Sequence, residues 1–478
     1  MILFFLVLAA PAKAGGPSMV LGANENLVLQ KTFVGTKANL SLAKLAGFQA
    51  VSVREFWWPG LTEPQKYDEM TLGNLDKAAR LLGLPVYLSI SNTLGRNTPR
   101  TQEEREQFAQ FAVATAKKFP AFKKIIIGNE PNLSNFWGPQ FDFDGSDLAA
   151  VTYEKLLAQT YDALKGFSSS ITVIGGAVSP RGHDDPNFSS KSHSPTTFIR
   201  DLGQVYRESG RAKPIMDWFA FHPYQDNSSQ LPLTRHSTST TITIADYDKL
   251  VKILGQAFDG TAQAGSSIPI VYDEYGIEST IPPKKARKYT GSEPASTKPV
   301  APAVQGERYK QAIQLAFCQP TVKAMFLFHT FDEPGRKQWQ SGLYYVDHTA
   351  KPSLSIVRKA FQEAKRGIAA RCPGLRLRLK ARASFPAPRQ AAVAGKRGGL
   401  KFQIHCDLDC RYTSGVIELR TGRSALAALG QAVGGKNVTV KLPAAKLGKG
   451  RYRLVVSLVA AVNPGPASRK ASRPFSIR

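Results

Sequence analysis

Eight short apolar runs, rich in β-branched and aromatic residues, recur through the first two thirds of the chain at intervals of roughly 30 to 54 residues. Each run ends in polar or aromatic residues, and a stretch with a helical pattern generally follows. Continuous apolar strands that alternate with amphipathic helices are typical of parallel βα units, and eight such units predict a (β/α)8 TIM barrel of the α/β class. The runs span residues 18–24, 50–56, 84–91, 123–130, 171–177, 216–224, 268–276 and 322–331.

The segments between these runs support the barrel, because their apolar residues recur at helical spacing. A doubly wound open sheet is the alternative, but the GxGxxG turn that marks its first strand is absent. Segment 338–367 resembles a last loop and a closing helix. The clearest helical segments span residues 74–83, 103–119, 152–166, 246–258 and 306–317.

The pattern changes at Cys372, so we expect a barrel domain at residues 15–372 and a second domain at 373–478. In the second domain short runs alternate between apolar and polar positions, as Tyr452, Leu454, Val456 and Leu458 do. About 100 residues of such strands with Gly and Pro turns predict an antiparallel β-sandwich of the immunoglobulin or fibronectin III kind. Residues 381–399 have the composition of a linker or of a first loop.

The N-terminal residues predict export. The apolar run from Ile2 to Ala10 is too short to span a bilayer, which takes about 20 residues. It fits the core of a signal peptide at residues 1–14, with a mature chain that starts near Gly15, although no basic residue precedes it. A buried N-terminal strand is the alternative interpretation. We therefore expect an extracellular or wall-associated protein without a membrane span.

Charge is distributed unevenly along the chain. The net charge is +27, and residues 373–478 hold 21 Lys and Arg residues against three acidic ones. Such a surface attracts polyanions, and outside a cell these are acidic wall polymers or acidic polysaccharides. The other interpretation is that the charge merely favours solubility. Nucleic acid is a weaker candidate, because no basic motif with interleaved aromatic residues is present.

The four cysteines fit an oxidising compartment. Cys406 and Cys410 are close enough in sequence to form a local disulfide, which leaves Cys318 to pair with Cys372. A zinc site is the weaker alternative, because only one histidine lies near these cysteines and no second CxxC pair exists. The sequence contains no HExxH, P-loop or GxSxG motif, so we expect no metal and no cofactor.

Two of the predicted strands run directly into a glutamate. The fourth ends in Gly-Asn-Glu-Pro-Asn with Glu130, and the seventh ends in Tyr-Asp-Glu-Tyr-Gly with Glu274. Reactive residues of a (β/α)8 barrel project from the carboxyl ends of its strands, where strands four and seven face each other. Two opposed carboxyl groups, one protonated and one ionised, are what cleavage of a glycosidic bond requires. A surface position for either glutamate alone would be the plainer interpretation.

These residues resemble clan A glycoside hydrolases, the retaining (β/α)8 group, with families 39 and 5 the most similar. The resemblance covers about residues 18–365 and rests on Asn129 and Glu130, on Glu274, on the HPY element after strand six and on Arg54 of strand two. It implies Glu130 as acid/base and Glu274 as nucleophile. The group often has a tryptophan after strand eight, where this chain has Phe328, so we expect Trp339 to replace it.

The resemblance and the chemistry together suggest further substrate-binding residues. Asn129 would hydrogen-bond the sugar 2-hydroxyl, and Tyr224 and Arg54 would keep Glu274 ionised. His222 belongs to the same His-x-Tyr element, and Trp137 is a candidate platform for stacking against a sugar. Each of these side chains also has a plain structural interpretation in packing or capping.

The sequence thus predicts a secreted retaining glycoside hydrolase that cleaves β-glycosidic bonds of a polysaccharide or glycoconjugate through a covalent glycosyl-enzyme intermediate. A non-catalytic sugar-binding barrel and a transglycosylase with the same residues are the alternatives. The Pro-, Ser- and Lys-rich segment 278–306 after strand seven is long for a loop in a compact domain, and it predicts either a functional wall or lid or a disordered segment.

Overall fold

A computed structural model describes residues 15–368, 372, 376–462 and 464–478. The predicted signal peptide lies outside the described residues. The chain divides into two compact units, one up to Lys359 and the other from Ala360 onward. Among the helices of the described ranges, none is long and apolar enough to cross a membrane.

The first unit is a closed barrel of eight parallel strands in sequential order, in which β1 pairs with both β2 and β8. This confirms the predicted (β/α)8 fold, and each apolar run overlaps one strand. The strands are β1 (Val20–Asn24), β2 (Val51–Trp57), β3 (Val86–Asn92), β4 (Lys124–Ile127), β5 (Thr172–Val178), β6 (Trp218–Phe221), β7 (Ile270–Tyr275) and β8 (Val322–Phe328).

A helix follows each strand, including two that the periodicity alone did not mark, α1 and α5. Capping residues define several of the helix starts; Thr101 and Glu104, for example, form a capping box at the start of α3. The helices are α1 (Phe33–Ala46), α2 (Lys66–Leu82), α3 (Gln102–Lys118), α4 (Leu148–Phe167), α5 (Pro195–Glu208), α6 (Tyr247–Phe258), α7 (Pro302–Phe317) and α8 (Ser353–Lys365).

The barrel interior is a packed core and not a pore. Side chains from seven strands meet in one cluster that includes Tyr87, Ile126, Val271 and Phe326, and Tyr87 and Phe326 contact edge to face with ring centroids 4.7 Å apart. Gly22 of β1 faces this cluster, where a Cβ atom would lie 2.4 Å from the Phe326 ring. A glycine is therefore required at that position of the barrel wall.

The strand register is irregular at two places near the open end of the barrel. The β5–β6 pairing shifts between Gly176 and Val178, and the β7–β8 pairing shifts between Tyr272 and Tyr275. Such shifts redirect side chains and are common beside active sites. The second one spans Glu274, so the local backbone helps to aim its side chain.

The second unit has two antiparallel sheets, in the strand orders β13-β10-β9 and β12-β11-β14-β15, and a short strand β16 pairs with β14. The inward positions Phe402, Ile404, Leu454 and Val456 are buried, which confirms the period-two pattern and the predicted β-sandwich. The elements are β9 (Ala381–Ser384), α9 (Pro388–Arg397), β10 (Lys401–Cys406), β11 (Cys410–Glu418), β12 (Ser424–Ala432), β13 (Asn437–Lys441), β14 (Gly450–Ala460), β15 (Ser468–Ala471) and β16 (Phe475–Ile477).

One sequence interpretation of this unit was wrong. Residues 381–399 are not a linker, because they form the strand β9 and the helix α9. The predicted local disulfide is confirmed: it joins Cys406 and Cys410 at the turn between β10 and β11. Cys318 and Cys372 are disulfide-bonded as well.

Candidate active site

The chain leaves β4 in a tight turn that presents Glu130. Gly128 and Glu130 both have positive φ angles, of 82° and 40°. This is uncommon for a residue other than glycine and indicates local backbone strain of the kind that occurs at functional sites. The Glu130 backbone N–H donates to the Ala177 carbonyl at 2.8 Å, next to the register shift in β5. The Tyr153 hydroxyl stabilises the start of this turn by donating to the Ile127 carbonyl at 2.7 Å.

Glu274 lies near the end of β7 with both carboxylate oxygens engaged. Its Oε1 accepts a hydrogen bond from Nη2 of Arg54 at 2.6 Å, and its Oε2 accepts one from the Tyr224 hydroxyl at 3.1 Å. The same Nη2 atom donates to Oδ1 of Asn129 at 2.6 Å. Burial and the nearby charge of Glu274 raise the pKa of Tyr224 well above its ordinary value, so this tyrosine is a neutral donor.

His222 connects the two sides of the barrel mouth and is fully buried. Its Nδ1 lies 3.0 Å from Oε1 of Glu130 and 3.6 Å from Oε2 of Glu274, and its Nε2 lies 3.2 Å from Oδ2 of Asp273. Burial alone would lower the pKa of His222, but the charges of Glu274 and Asp273 outweigh it and hold the pKa well above its ordinary value. The raised pKa favours the protonated form of His222, in which both ring nitrogens donate to the neighbouring carboxyl groups.

This shared contact limits the separation of the two glutamates. Oε1 of Glu130 and Oε2 of Glu274 both approach the same His222 nitrogen, at 3.0 Å and 3.6 Å, so the two oxygens are at most about 6.6 Å apart. Both side chains are largely buried, with exposed fractions of 15% for Glu130 and 9% for Glu274. The fourth and seventh strands thus deliver two carboxyl groups to one place, as their positions in the sequence predict.

The two glutamates line a cavity of about 600 Å³ at the open end of the barrel. Arg54, Asn129, Tyr224 and Trp339 line it as well. Trp339 packs against Tyr224 and Phe328, with ring centroids 5.1 Å and 5.3 Å away. The loop tryptophan therefore lies in the cavity wall next to the phenylalanine that ends β8.

Two of the suggested substrate-binding residues were wrong in that role. Trp137 is completely buried, and its indole N–H donates to Thr152 at 2.9 Å, so its ring faces helix α4 and cannot stack against a bound molecule. Its neighbour Phe136 lines the cavity instead. His222 is buried beneath the cavity and does not line it; it contacts the carboxyl groups of Glu130 and Asp273 instead.

Several charged residues of the cavity were missed in the sequence. Arg181 follows β5 and forms an ion pair with Asp226 at 3.3 Å, and Glu278 lines the cavity as well. Glu333, which follows strand eight and is a candidate for the barrel mouth in the sequence, also lines the cavity. Burial raises the pKa of Glu278 to about 7. Arg181, Asp226 and Glu278 follow barrel strands, so the strand-end rule applied to strands five to seven could have found them.

The loop that follows β7 is ordered and forms part of the cavity wall through Ser296 and Thr297. A buried ion pair anchors its start: the Lys351 ammonium donates to Asp332 at 2.6 Å, to Ser279 at 2.8 Å and to the Gln340 carbonyl at 2.9 Å. Segment 278–306 therefore contributes to the cavity wall, which is one of the roles that its length and position predict.

No protein-family model and no curated protein matches this chain. Among solved structures, the chain is similar to GH5_18 from Streptomyces cattleya in complex with GlcNAc, with a TM-score of 0.50 and 13% identity over 75% of this chain and 83% of that one. It is also similar to a monomeric β-xylosidase from Caulobacter crescentus CB15, with a TM-score of 0.47 and 14% identity over 93% of this chain and 97% of that one.

A third similar structure is a calcium-binding mutant of Bacteroides uniformis β-glucuronidase 2, with a TM-score of 0.44 and 12% identity over 97% of this chain. This chain spans only 46% of the length of that protein, and 57% of the length of an FMN-binding β-glucuronidase. At such low identities the likeness concerns the fold alone, and it agrees with the closed eight-stranded barrel.

Proposed function

We propose that this protein is a retaining glycoside hydrolase that cleaves β-glycosidic bonds of a polysaccharide or glycoconjugate. The observation that carries the proposal is the pair of carboxyl groups at Glu130 and Glu274, both in contact with His222 at the mouth of one barrel. Retaining enzymes hold their two carboxyl groups about 5–5.5 Å apart, and inverting enzymes about 6.5–9.5 Å. The glutamate oxygens that approach His222 are at most about 6.6 Å apart, which is compatible with the retaining separation.

The reaction would follow a double displacement. Glu130 protonates the leaving oxygen while Glu274 attacks the anomeric carbon and forms a covalent glycosyl-enzyme. Glu130 then takes a proton from water, which attacks the same carbon and releases Glu274. Each displacement inverts the anomeric centre, so the product keeps the β configuration.

The surrounding contacts divide these roles between the two glutamates. Arg54 and Tyr224 donate to the two oxygens of Glu274, which holds this carboxylate in place for the attack on the anomeric carbon. Glu130 has a more exposed carboxyl group that His222 orients through its Nδ1. Arg54 also fixes the amide of Asn129 through its oxygen, and the amide NH₂ group can then donate to a sugar hydroxyl in the cavity.

The substitutions Glu274→Ala and Glu130→Ala test this assignment. We expect each to lower kcat on an aryl β-glycoside by a factor of at least about 10³, since each removes a group that bonds or transfers a proton to the reacting atoms. Azide should restore turnover in both variants, giving the α-glycosyl azide with Glu274→Ala and the β-glycosyl azide with Glu130→Ala. Glu333→Gln, in the same cavity, is the matched control and should keep most activity. Wild-type turnover by either alanine variant would refute the proposal.

We also propose that the protein works outside the cytoplasm. Support comes from the Cys406–Cys410 disulfide and from the oxidised state of Cys318 and Cys372, because disulfides persist in oxidising compartments. Expression with the native N-terminus should yield protein without free thiols in the medium or periplasm. Fully reduced protein confined to the cytoplasm would contradict this.

A further inference from the structure

The second unit carries a groove on the outer face of its larger sheet. Residues that neighbour one another across the strands share this face, as Thr413 and Ser457 do, and as Gly415 and Val455 do. Small side chains leave a depression of about 710 Å³ above the sheet. We call it the outer groove, and its floor is formed by Thr413, Gly415, Ala427, Val455, Ser457 and Ala471.

Three arginines surround the outer groove. Arg411 lies at one end of β11, and Arg453 lies beside Ile417 at the other, about 20 Å away along the strand direction. Arg469 lies beside Ser457 on the edge strand β15, between these two ends and closer to Arg411. The groove is thus bounded by cations at both ends and on one side.

These cations lack protein partners within the described residues. No ion pair of Arg411, Arg453 or Arg469 occurs there, and the Nε atom of Arg453 is buried without a hydrogen-bond partner. The three acidic residues of the sandwich are engaged elsewhere. Asp409 accepts two hydrogen bonds from Arg366, and Asp407 accepts one from the Lys380 backbone. Glu418 accepts a hydrogen bond from Thr421 at 2.7 Å and lies 3.9 Å from Arg420. The positive field above the groove is therefore uncompensated.

The residues that form the floor of the groove indicate which class of ligand it can bind. Among the described residues that line it, none is acidic and none is aromatic. Neutral sugars and the bases of single-stranded nucleic acids are commonly held by stacking on aromatic rings, and this floor offers none. It offers the hydroxyl groups of Thr413 and Ser457, which can bond to sugar hydroxyls, within a ring of cations.

We propose that the outer groove binds an acidic polysaccharide, whose carboxylate groups contact Arg411, Arg453 and Arg469 while the sugar rings lie over the small residues of the floor. The depression extends across the strands β12, β11, β14 and β15, which suits an extended chain. This proposal does not depend on the catalytic function of the barrel, because it rests only on the second unit.

Binding of polygalacturonate to the full chain carrying Glu274→Gln tests the proposal, since that variant excludes cleavage by the proposed mechanism. The triple variant R411Q/R453Q/R469Q should bind at least about tenfold more weakly at low salt, and its affinity should depend less on salt concentration. The control R382Q/R389Q/R397Q removes three exposed arginines from β9 and α9, and it should lose no more than about threefold.

A second pair of variants keeps every arginine and so does not depend on the folding of the triple variant. Ala427→Glu places a carboxylate on the exposed floor and should weaken binding about as much as the triple variant does. Ser384→Glu adds the same charge to the exposed side of β9 and should have little effect.

Three results would overturn the proposal. An equal loss in the two triple variants would mean that only the overall charge matters. If dextran, a neutral polysaccharide, bound as tightly as polygalacturonate, the three arginines would have no role in binding. Tighter binding of a DNA duplex than of polygalacturonate, at equal concentrations of charge, would assign the surface to nucleic acid.

Discussion

The charged side chains at the barrel mouth differ in burial and pairing from those in the outer groove of the sandwich. At the barrel mouth the charged side chains are mostly buried and partnered: Glu274 with Arg54 at 2.6 Å, and Asp332 with Lys351 at 2.6 Å. In the outer groove the arginines are more exposed and have no acidic partner in the described structure. One region fixes its charges in place, and the other leaves them to interact with the surroundings.

This difference follows from the local dielectric. Coulombic interactions are several times stronger at a buried site than at the surface, where water and salt screen them within about 10 Å. A buried charge must be paired if the fold is to be stable, and a paired charge can be held at a defined position for chemistry. An exposed charge costs the fold little and acts at a distance on polyanions. Charge removal should therefore have large effects on stability at the barrel mouth and small ones in the groove.

The largest effect is expected at Lys351. Lys351→Met leaves Asp332 buried without its cation and should lower the free energy of unfolding by about 3–5 kcal/mol. The double variant with Asp332→Asn should recover part of this loss, because the unpaired charge is gone. Urea unfolding followed by far-UV circular dichroism measures both. A loss below about 1 kcal/mol in the single variant would show that this pair does not anchor the loop.

His222→Gln should have the next largest effect, with a defined pH dependence. Because the native pKa is raised, the imidazolium stabilises the fold fully below the unfolded value of about 6.5, and this stabilisation is lost as pH rises through the native pKa. The variant should be less stable than the wild type by about 2–3 kcal/mol at pH 6, with the gap closing in alkaline solution. A gap that widens with pH would contradict a charged His222.

Glu278→Gln should change stability in the favourable direction. Burial raises the pKa of Glu278 to about 7, so ionisation on going from pH 4.5 to neutral pH destabilises the fold. The glutamine variant should match the wild type at pH 4 and exceed it by about 1–3 kcal/mol at pH 8. Thermal unfolding at the two pH values checks this, and an equal difference at both would exclude titration of Glu278 as the cause.

Arg469→Gln should have the smallest effect on folding. We expect less than about 0.5 kcal/mol, as for surface substitutions away from special features. Retention on immobilised polygalacturonate should nevertheless fall to a lower salt concentration. A destabilisation as large as that of Lys351→Met would mean that the groove cations have a structural role and that the contrast between the two regions is false.

Most of the barrel was predictable from the sequence because buried parallel strands give continuous apolar runs. The positions of Glu130 and Glu274 were predictable for a related reason. The carboxyl ends of parallel strands lie at one face of a barrel, so a glutamate at a strand end is expected at that face. The burial of Trp137 was not predictable, because it depends on which side of the turn after β4 contacts Thr152 of helix α4. That choice is made by tertiary packing, which no local pattern records.

The sandwich was harder to predict in detail. Strand β12 is rich in Ala and Leu, residues that favour helices, and only its pairing with β11 makes it a strand. Residues 381–399 resemble a linker in composition, yet they form β9 and α9, and the buried Ala391 is one of the few apolar contacts that α9 offers. The outer groove escaped notice because it is defined by cross-strand register, which brings together residues distant in sequence.

The proposed mechanism requires that Glu274 forms a covalent bond with a β-linked sugar. A panel of aryl β-glycosides identifies a substrate, and the protein is then incubated with the 2-deoxy-2-fluoro glycosyl fluoride of the same sugar and digested for mass spectrometry. We expect a stable glycosyl adduct on the peptide that contains Glu274, and none in Glu274→Ala. Turnover without any trapped adduct, or an adduct on a different carboxylate, would contradict it.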